Sequence, residues 1–225
     1  MPTGYEPAED EAGLSFKCSN RVGGCVMQKI SRGDVKDLIE YEKVREEMRR
    51  QLIALKRARR IPVGDRLTFL FENRETVLFQ IQEMIRTERM VDEEKILEEI
   101  EINNELIPGE REVSATMFIE VDEPGQIREV LNRFQGIDRE DMVYFQIDER
   151  FKVPGVLEGG RSKEDKISAV HYVKFPFSES ARDAFLDVRV PVELIVDHPR
   201  YKERVKIERE ARQRLIEDLT ALSVP

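Results

Sequence analysis

Tryptophan is absent from this 225-residue chain, and cysteine and histidine occur only twice each. Two cysteines, Cys18 and Cys25, suit a reducing cytoplasm and not a disulfide-stapled secreted fold. No stretch approaches the roughly 18 consecutive apolar residues that mark a membrane span. The start, Met1 to Glu6, lacks a basic segment leading into an apolar one, so no signal peptide is expected. Positive charge is in deficit, with a formal net charge of −9. The phosphate backbone of nucleic acid favours a concentrated positive field, so this balance argues against general nucleic-acid binding. Also missing are a glycine-rich dinucleotide fingerprint, a P-loop, a nucleophile elbow and a zinc-protease helix. These absences weaken nucleotide-dependent and hydrolytic readings, and no cofactor is named by the sequence.

What is present is periodicity. Charged residues make up 37% of the chain and hydrophobic ones 40%, and the apolar residues recur in ordered steps that favour folding over disorder. Residues 1–26 are the exception. They are rich in glycine, proline, serine and acids, and read as a tail, with Met27 an alternative start. A main domain over 27–201 and a charged C-terminal helix over 202–225 complete the expected division. From Asp34 to Arg60, Tyr41, Val44, Met48, Leu52 and Leu55 share one face of a long helix, capped by Ser31 or Asp34. Ile61-Pro62-Val63-Gly64 should end it. A strand at Leu67–Glu72 precedes a helix at Arg74–Arg89 and another that starts at an Asp92 cap.

Strict alternation marks Val113–Val121, Val143–Ile147 and Ser168–Phe175 as strands, with a short helix near Pro124–Gln135 and another capped by Ser178. Residues 149–166 read as a loop. Val188–Val196 reads as a last strand, placed at an edge by Pro191. Pro199 suits the first turn of a final helix reaching about Leu222, whose middle, Glu208–Arg214, should be exposed or paired with another chain. The fold expected is α+β: a mostly antiparallel sheet of about five strands, one face wet, helices on the other, and long N-terminal and C-terminal helices.

Chemistry is harder to place. Cys18 and Cys25 lack the second pair that a tetrahedral site uses, leaving a metal shared between chains, a redox switch, or incidental cysteines. His171 sits on a strand face with Ala169, Val173 and Phe175, and His198 at a strand-to-helix corner. Each is either a hydrogen-bonded structural residue or a ligand or proton carrier. Glu72, Glu83 and Glu120 with either histidine would be standard divalent-metal ligands if the fold joined them. Arg49, Arg50, Lys56, Arg57, Arg59 and Arg60 crowd the end of the first helix without an acid among them. They offset the helix dipole, or hold phosphate or an acidic partner. Residues 92–112 answer with nine acids against two bases. The wet sheet face should carry Thr116, Glu120, Tyr144, Gln146, Tyr172, Lys174, Arg189 and Glu193.

From Met27 onward the chain resembles an uncharacterised bacterial family, domain of unknown function 3501. The resemblance lies in Leu38–Leu55, Leu70–Arg86, Leu106–Glu120, Asp165–Phe175 and Asp197–Tyr201, leaving the cysteine tail and the helix after Tyr201 outside. It implies a genomic setting beside rubrerythrin-like and iron–sulfur oxidoreductase proteins, hence protein partners and an accessory role in redox metabolism, by association. It also implies where a site would lie: Glu72, Asn73, Arg74, Gln82, Glu83, Glu120, His171, Asp197 and His198. The alternative is a metal- or cofactor-dependent enzyme using that Glu/His set.

Overall fold

The computed structural model describes residues 28–159 and 167–220. The cysteines, Met27 and the expected helix end at Leu222 lie outside these residues. The expected α+β, antiparallel architecture is found, built as two sheets rather than one. The five-stranded sheet runs β1-β2-β3-β7-β6 and the four-stranded sheet β5-β4-β8-β9. The strands are β1 (Arg60–Val63), β2 (Leu67–Phe71), β3 (Glu112–Ile119), β4 (Val143–Ile147), β5 (Phe151–Pro154), β6 (Val156–Leu157), β7 (Val170–Pro176), β8 (Val192–His198) and β9 (Tyr201–Lys206). The helices are α1 (Leu38–Arg59), α2 (Arg74–Glu88), α3 (Glu93–Asn104), α4 (Ile127–Arg133), α5 (Glu179–Leu186) and α6 (Arg209–Thr220). Every strand pair is antiparallel.

Alternation decides which faces meet. Phe69, Phe71, Ala115, Met117, Val173 and Phe175 from the larger sheet pack in one core with Val143, Phe145, Leu194 and Val196 from the smaller, joined by α5 and α6. The other face of the larger sheet is not wet. Val77, Ile81 and Ile85 of α2 and Ile96 and Ile100 of α3 form a second core with Ile30 and Val35. Hence β2 is buried along its whole length. Period-two patterning reports one buried face and is blind to a second layer that covers the polar one.

Several boundaries differ for local reasons. Asp37, not Ser31 or Asp34, caps α1, its carboxylate accepting the Glu40 N–H at 2.8 Å; Ser31 and Asp34 close a short 3-10 turn instead. Ile61-Pro62-Val63 ends the helix as expected but continues as β1, an edge strand where proline is tolerated. Gly64 turns the β1–β2 hairpin at φ 67°, a left-handed angle that suits glycine. The expected loop contains β5 and β6. Pro191 precedes β8, which lies between β4 and β9 and is therefore not an edge. The largest miss follows His198. His198 and Tyr201 pair across a tight turn, so Pro199 begins no helix; β9 intervenes and α6 is only 12 residues long. α1, with 22 residues, is the one long terminal helix among the described residues. Inside α6, Arg212 is buried and donates to the Phe185 and Asp187 carbonyls. Among the described residues no helix is long and apolar enough to cross a membrane.

Candidate functional site

The covered face of the larger sheet holds a polar layer where apolar contact would be expected. Strand register puts Ser114 opposite Lys174, Lys174 opposite Val156, and Thr116 opposite Tyr172. Glu72 follows β2 directly and its N–H donates to the Ser114 carbonyl at 2.8 Å. The next residue, Asn73, caps α2: its Oδ1 accepts the Thr76 N–H at 3.0 Å, and Thr76 Oγ1 accepts the Asn73 N–H at 3.0 Å. This abrupt strand-to-helix junction folds the Glu72 carboxylate back between sheet and helix. There Thr76 Oγ1 lies 2.5 Å from Oε2 and Thr116 Oγ1 lies 2.6 Å from Oε1. Glu72 is buried, and no cation pairs with it among the described residues. Two hydroxyl donors are a thin shell for a carboxyl group taken out of water.

Beside this layer a cleft of about 410 Å³ opens between the end of α3 and β6. Ile102 and Leu106 form one wall, and Ser114, Tyr172, Lys174 and Val156 line the sheet side. Thr116, Tyr172 and Lys174 of the expected wet face therefore do share one surface. Tyr144, Gln146 and Glu193 belong to the smaller sheet, and Arg189 to the segment before β8, paired with Asp187 at 2.8 Å.

The other expected site residues lie apart from the Glu72 layer. Arg74 holds Asp34 at 2.6 Å and the Gln28 carbonyl at 3.0 Å. Gln82 receives the Lys36 N–H at 2.7 Å and donates to the Lys36 carbonyl, fastening the chain before α1 onto α2. Glu83 accepts two bonds from Arg45, at 2.7 and 2.9 Å, and one from the Tyr41 hydroxyl at 2.8 Å. The Arg45 guanidinium holds the Glu83 carboxyl below its usual range, while burial pushes the Tyr41 phenol up. Glu120 is exposed, 4.0 Å from Arg60.

His171 points into the inter-sheet core, on the opposite face of β7 from Lys174, with Nε2 2.9 Å from the Ser168 carbonyl. His198 is held at the turn: Nε2 donates to the Gln135 carbonyl at 2.9 Å and Nδ1 accepts the Arg200 N–H at 3.2 Å. Asp197 pairs with Lys202 at 2.7 Å, which keeps its carboxyl below the ordinary value. Among the described residues no three His, Cys, Asp or Glu side chains gather closely enough to hold a metal ion. Glu72, Glu83, Glu120, His171 and His198 are thus engaged separately, each by its own structural neighbours.

The basic run divides in two. Arg59 is buried in a bidentate pair with Asp218. Arg49 and Arg50 face Glu46 and Glu47 one turn back, and Lys56 and Arg57 have no acidic partner among the described residues. Sequence reasoning missed Thr76 and Ser114. Thr76 was visible as a capping box with Asn73, and Ser114 only as a polar member of an alternating strand.

A family profile described as "Protein of unknown function (DUF3501)" matches residues 29–219. The chain belongs to this family. The DUF3501 match carries through β9 and nearly all of α6, so the segment after Tyr201 lies inside the family and not beyond it. A crystal structure of a novel protein of unknown function from Burkholderia pseudomallei is similar to this DUF3501 chain. It is 29% identical, with a TM-score of 0.78, and the likeness covers 85% of this chain and 100% of that one. No curated protein matches the chain.

Proposed function

We propose that this DUF3501 protein is a cytoplasmic accessory protein that works by docking on an acidic protein surface through α1. One observation carries the reading. Ile53 is 61% exposed on α1, and helical geometry places residues three and four positions away around it. Those positions are Arg49, Arg50, Lys56 and Arg57. A large apolar side chain ringed by cations matches the anatomy of an interface anchor with a charged rim. Ile39, also exposed, extends the same stripe. A groove of about 270 Å³ between α1 and α2, lined by Met48, Leu52, Leu55, Leu78 and Phe79, lies on the other side of the helix and leaves this stripe free. The occupant suggested by the family resemblance is a redox protein of the rubrerythrin-like or iron–sulfur oxidoreductase kind.

The test is titration of the full chain with a purified rubrerythrin-like protein and a purified iron–sulfur oxidoreductase from the same organism. Binding of one of them is expected to weaken at least about tenfold on Ile53→Asp, and by a similar factor on the double reversal Lys56→Glu/Arg57→Glu, as anchor and rim changes do. Ile53→Asp lies on the surface and should leave the melting temperature nearly constant, while the double reversal puts two acids in the last turn of α1 and should lower it by a few degrees. Absence of binding by both partners, or binding indifferent to these changes, would remove the proposal.

A second reading, a cofactor-dependent enzyme, is favoured by Glu72, a buried carboxyl group held by hydroxyls alone. It requires that untagged protein purify with a bound group, and that Glu72→Gln release that group without unfolding the chain.

A further inference from the structure

We propose that the cleft between α3 and β6 binds a neutral ring compound bearing a hydroxyl or carbonyl group, with the Ser114 hydroxyl as its polar contact. Ser114 is 1% exposed, and its Oγ has no hydrogen-bond partner among the described residues. An unmet buried hydroxyl is costly, and few such groups survive in folded proteins. The next residue on this face of β3, Thr116, spends its hydroxyl on Glu72 at 2.6 Å, whereas the Ser114 hydroxyl is left without such a partner. Ser114 borders the cleft, in register with Lys174 and, one strand further, Val156. The walls are apolar, from Ile102, Leu106 and Val156, and both Ile102 and Val156 stand exposed at the mouth. A volume of about 410 Å³ falls within the usual span of small-molecule sites.

Charge selects the class of ligand. Lys174 Nζ lies 3.3 Å from Glu112 Oε1, and that oxygen also accepts the Gly109 N–H at 2.6 Å. Glu105 faces Lys29 at 3.6 Å, and Glu158 stands at the solvent-exposed rim. An anionic ligand would have to compete with Glu112 for Lys174, and a cationic one with Lys29 for Glu105. A neutral molecule meets the apolar walls and satisfies Ser114 without displacing either pair. No base stands ready to activate Ser114 for covalent attack: Lys174 is paired with Glu112, and His171 projects from the opposite face of β7.

The experiment titrates the full chain with 2-naphthol, naphthalene and 2-naphthoate, followed by calorimetry and by the methyl resonances of Ile102, Leu106 and Val156. One added hydrogen bond should make 2-naphthol bind about five- to tenfold tighter than naphthalene, with 2-naphthoate the weakest. Ser114→Ala should erase the advantage of 2-naphthol over naphthalene while leaving the melting temperature unchanged or slightly raised, because no partner is orphaned. Val156→Trp, at the exposed mouth, should block all three. The inference is overturned if none of the probes shifts those methyls at about 1 mM, where a Kd near that value would register. It is equally overturned if 2-naphthol keeps its preference in Ser114→Ala, or if 2-naphthoate binds tightest.

Discussion

Asp218→Ala is expected to destabilise the fold by about 3–5 kcal/mol, the usual cost of stripping one partner from a buried ion pair. In a chain of this size that lowers the melting temperature by roughly 10 °C. Arg59 and Asp218 are 3% and 5% exposed, and two parallel bonds of 2.6 and 2.8 Å join them. They lock the end of α1 to the last turn of α6. The two single removals should not be equivalent. A guanidinium stays charged when its partner is lost, whereas Asp218 can take up a proton. Burial already pushes the Asp218 carboxyl above its ordinary value of 3.8, against the opposing pull of Arg59. A group whose folded-state value is raised contributes stability that is complete below its unfolded value and is lost as pH rises through the folded one. Arg59→Met should therefore cost less than Asp218→Ala, and its cost should shrink as pH falls towards the raised folded value, because without Arg59 the Asp218 carboxyl takes up its proton at still higher pH. The cost of Asp218→Ala should instead grow as pH falls through the raised folded value towards 3.8, since the contribution that it removes is complete only there. Replacing both, as Arg59→Met/Asp218→Leu, should recover most of the loss, since well-packed apolar pairs often match buried ion pairs. Thermal melts of the four proteins at neutral and mildly acidic pH decide this. Equal costs for the two single variants at every pH would refute the argument.

That pair also shows where sequence reading stops. Arg59 reads as one cation among six at a solvated helix end, because charged residues are seldom buried, and its partner is 159 positions away. Local periodicity carries no information about such a partner. The same limit hid the second core. The alternation of β3 was legible in Val113, Ala115 and Met117, but Thr116 was assigned to water although it and Ser114 are buried on the face that α2 and α3 cover. Proline misled twice in the C-terminal third. Pro191 lies outside the ladder, and Pro199 occupies a turn whose other members, His198 and Tyr201, pair across it. For the candidate site, Glu72 and Asn73 were legible through the family strings, and Thr116, Tyr172 and Lys174 through alternation. That Tyr172 and Lys174 meet Ser114 at one cleft depends on the β3–β7 register and on β6, which a glycine-bearing polar segment concealed.

Phe145→Ala is the sharpest test of the two-sheet architecture, with an expected loss of about 3–5 kcal/mol. Phe145 belongs to β4 of the smaller sheet, yet its ring lies 5.8 Å from Phe71 and 4.7 Å from Phe175 of the larger one, centroid to centroid. Phe185 of α5 meets it edge-on at 5.8 Å, and Phe177 sits at 6.1 Å. Truncation removes apolar area and also leaves a void bounded by two sheets and a helix. None of these can close in alone, because each is tied by its own ladder or core contacts. The aromatic geometry adds about 0.5–1.5 kcal/mol per pair beyond area, which places the loss towards the upper part of the range. Phe118, partly exposed on the outer face of β3 beneath the Arg60 guanidinium at 5.8 Å, supplies the control. Phe118→Ala creates no enclosed void and should cost distinctly less. Because Phe145 joins both sheets, its loss should shift a single cooperative denaturant transition without splitting it, read identically by backbone circular dichroism and by tyrosine fluorescence. A Phe145→Ala cost no larger than that of Phe118→Ala would mean that the sheets do not share this core. Two separated transitions would mean that they unfold independently.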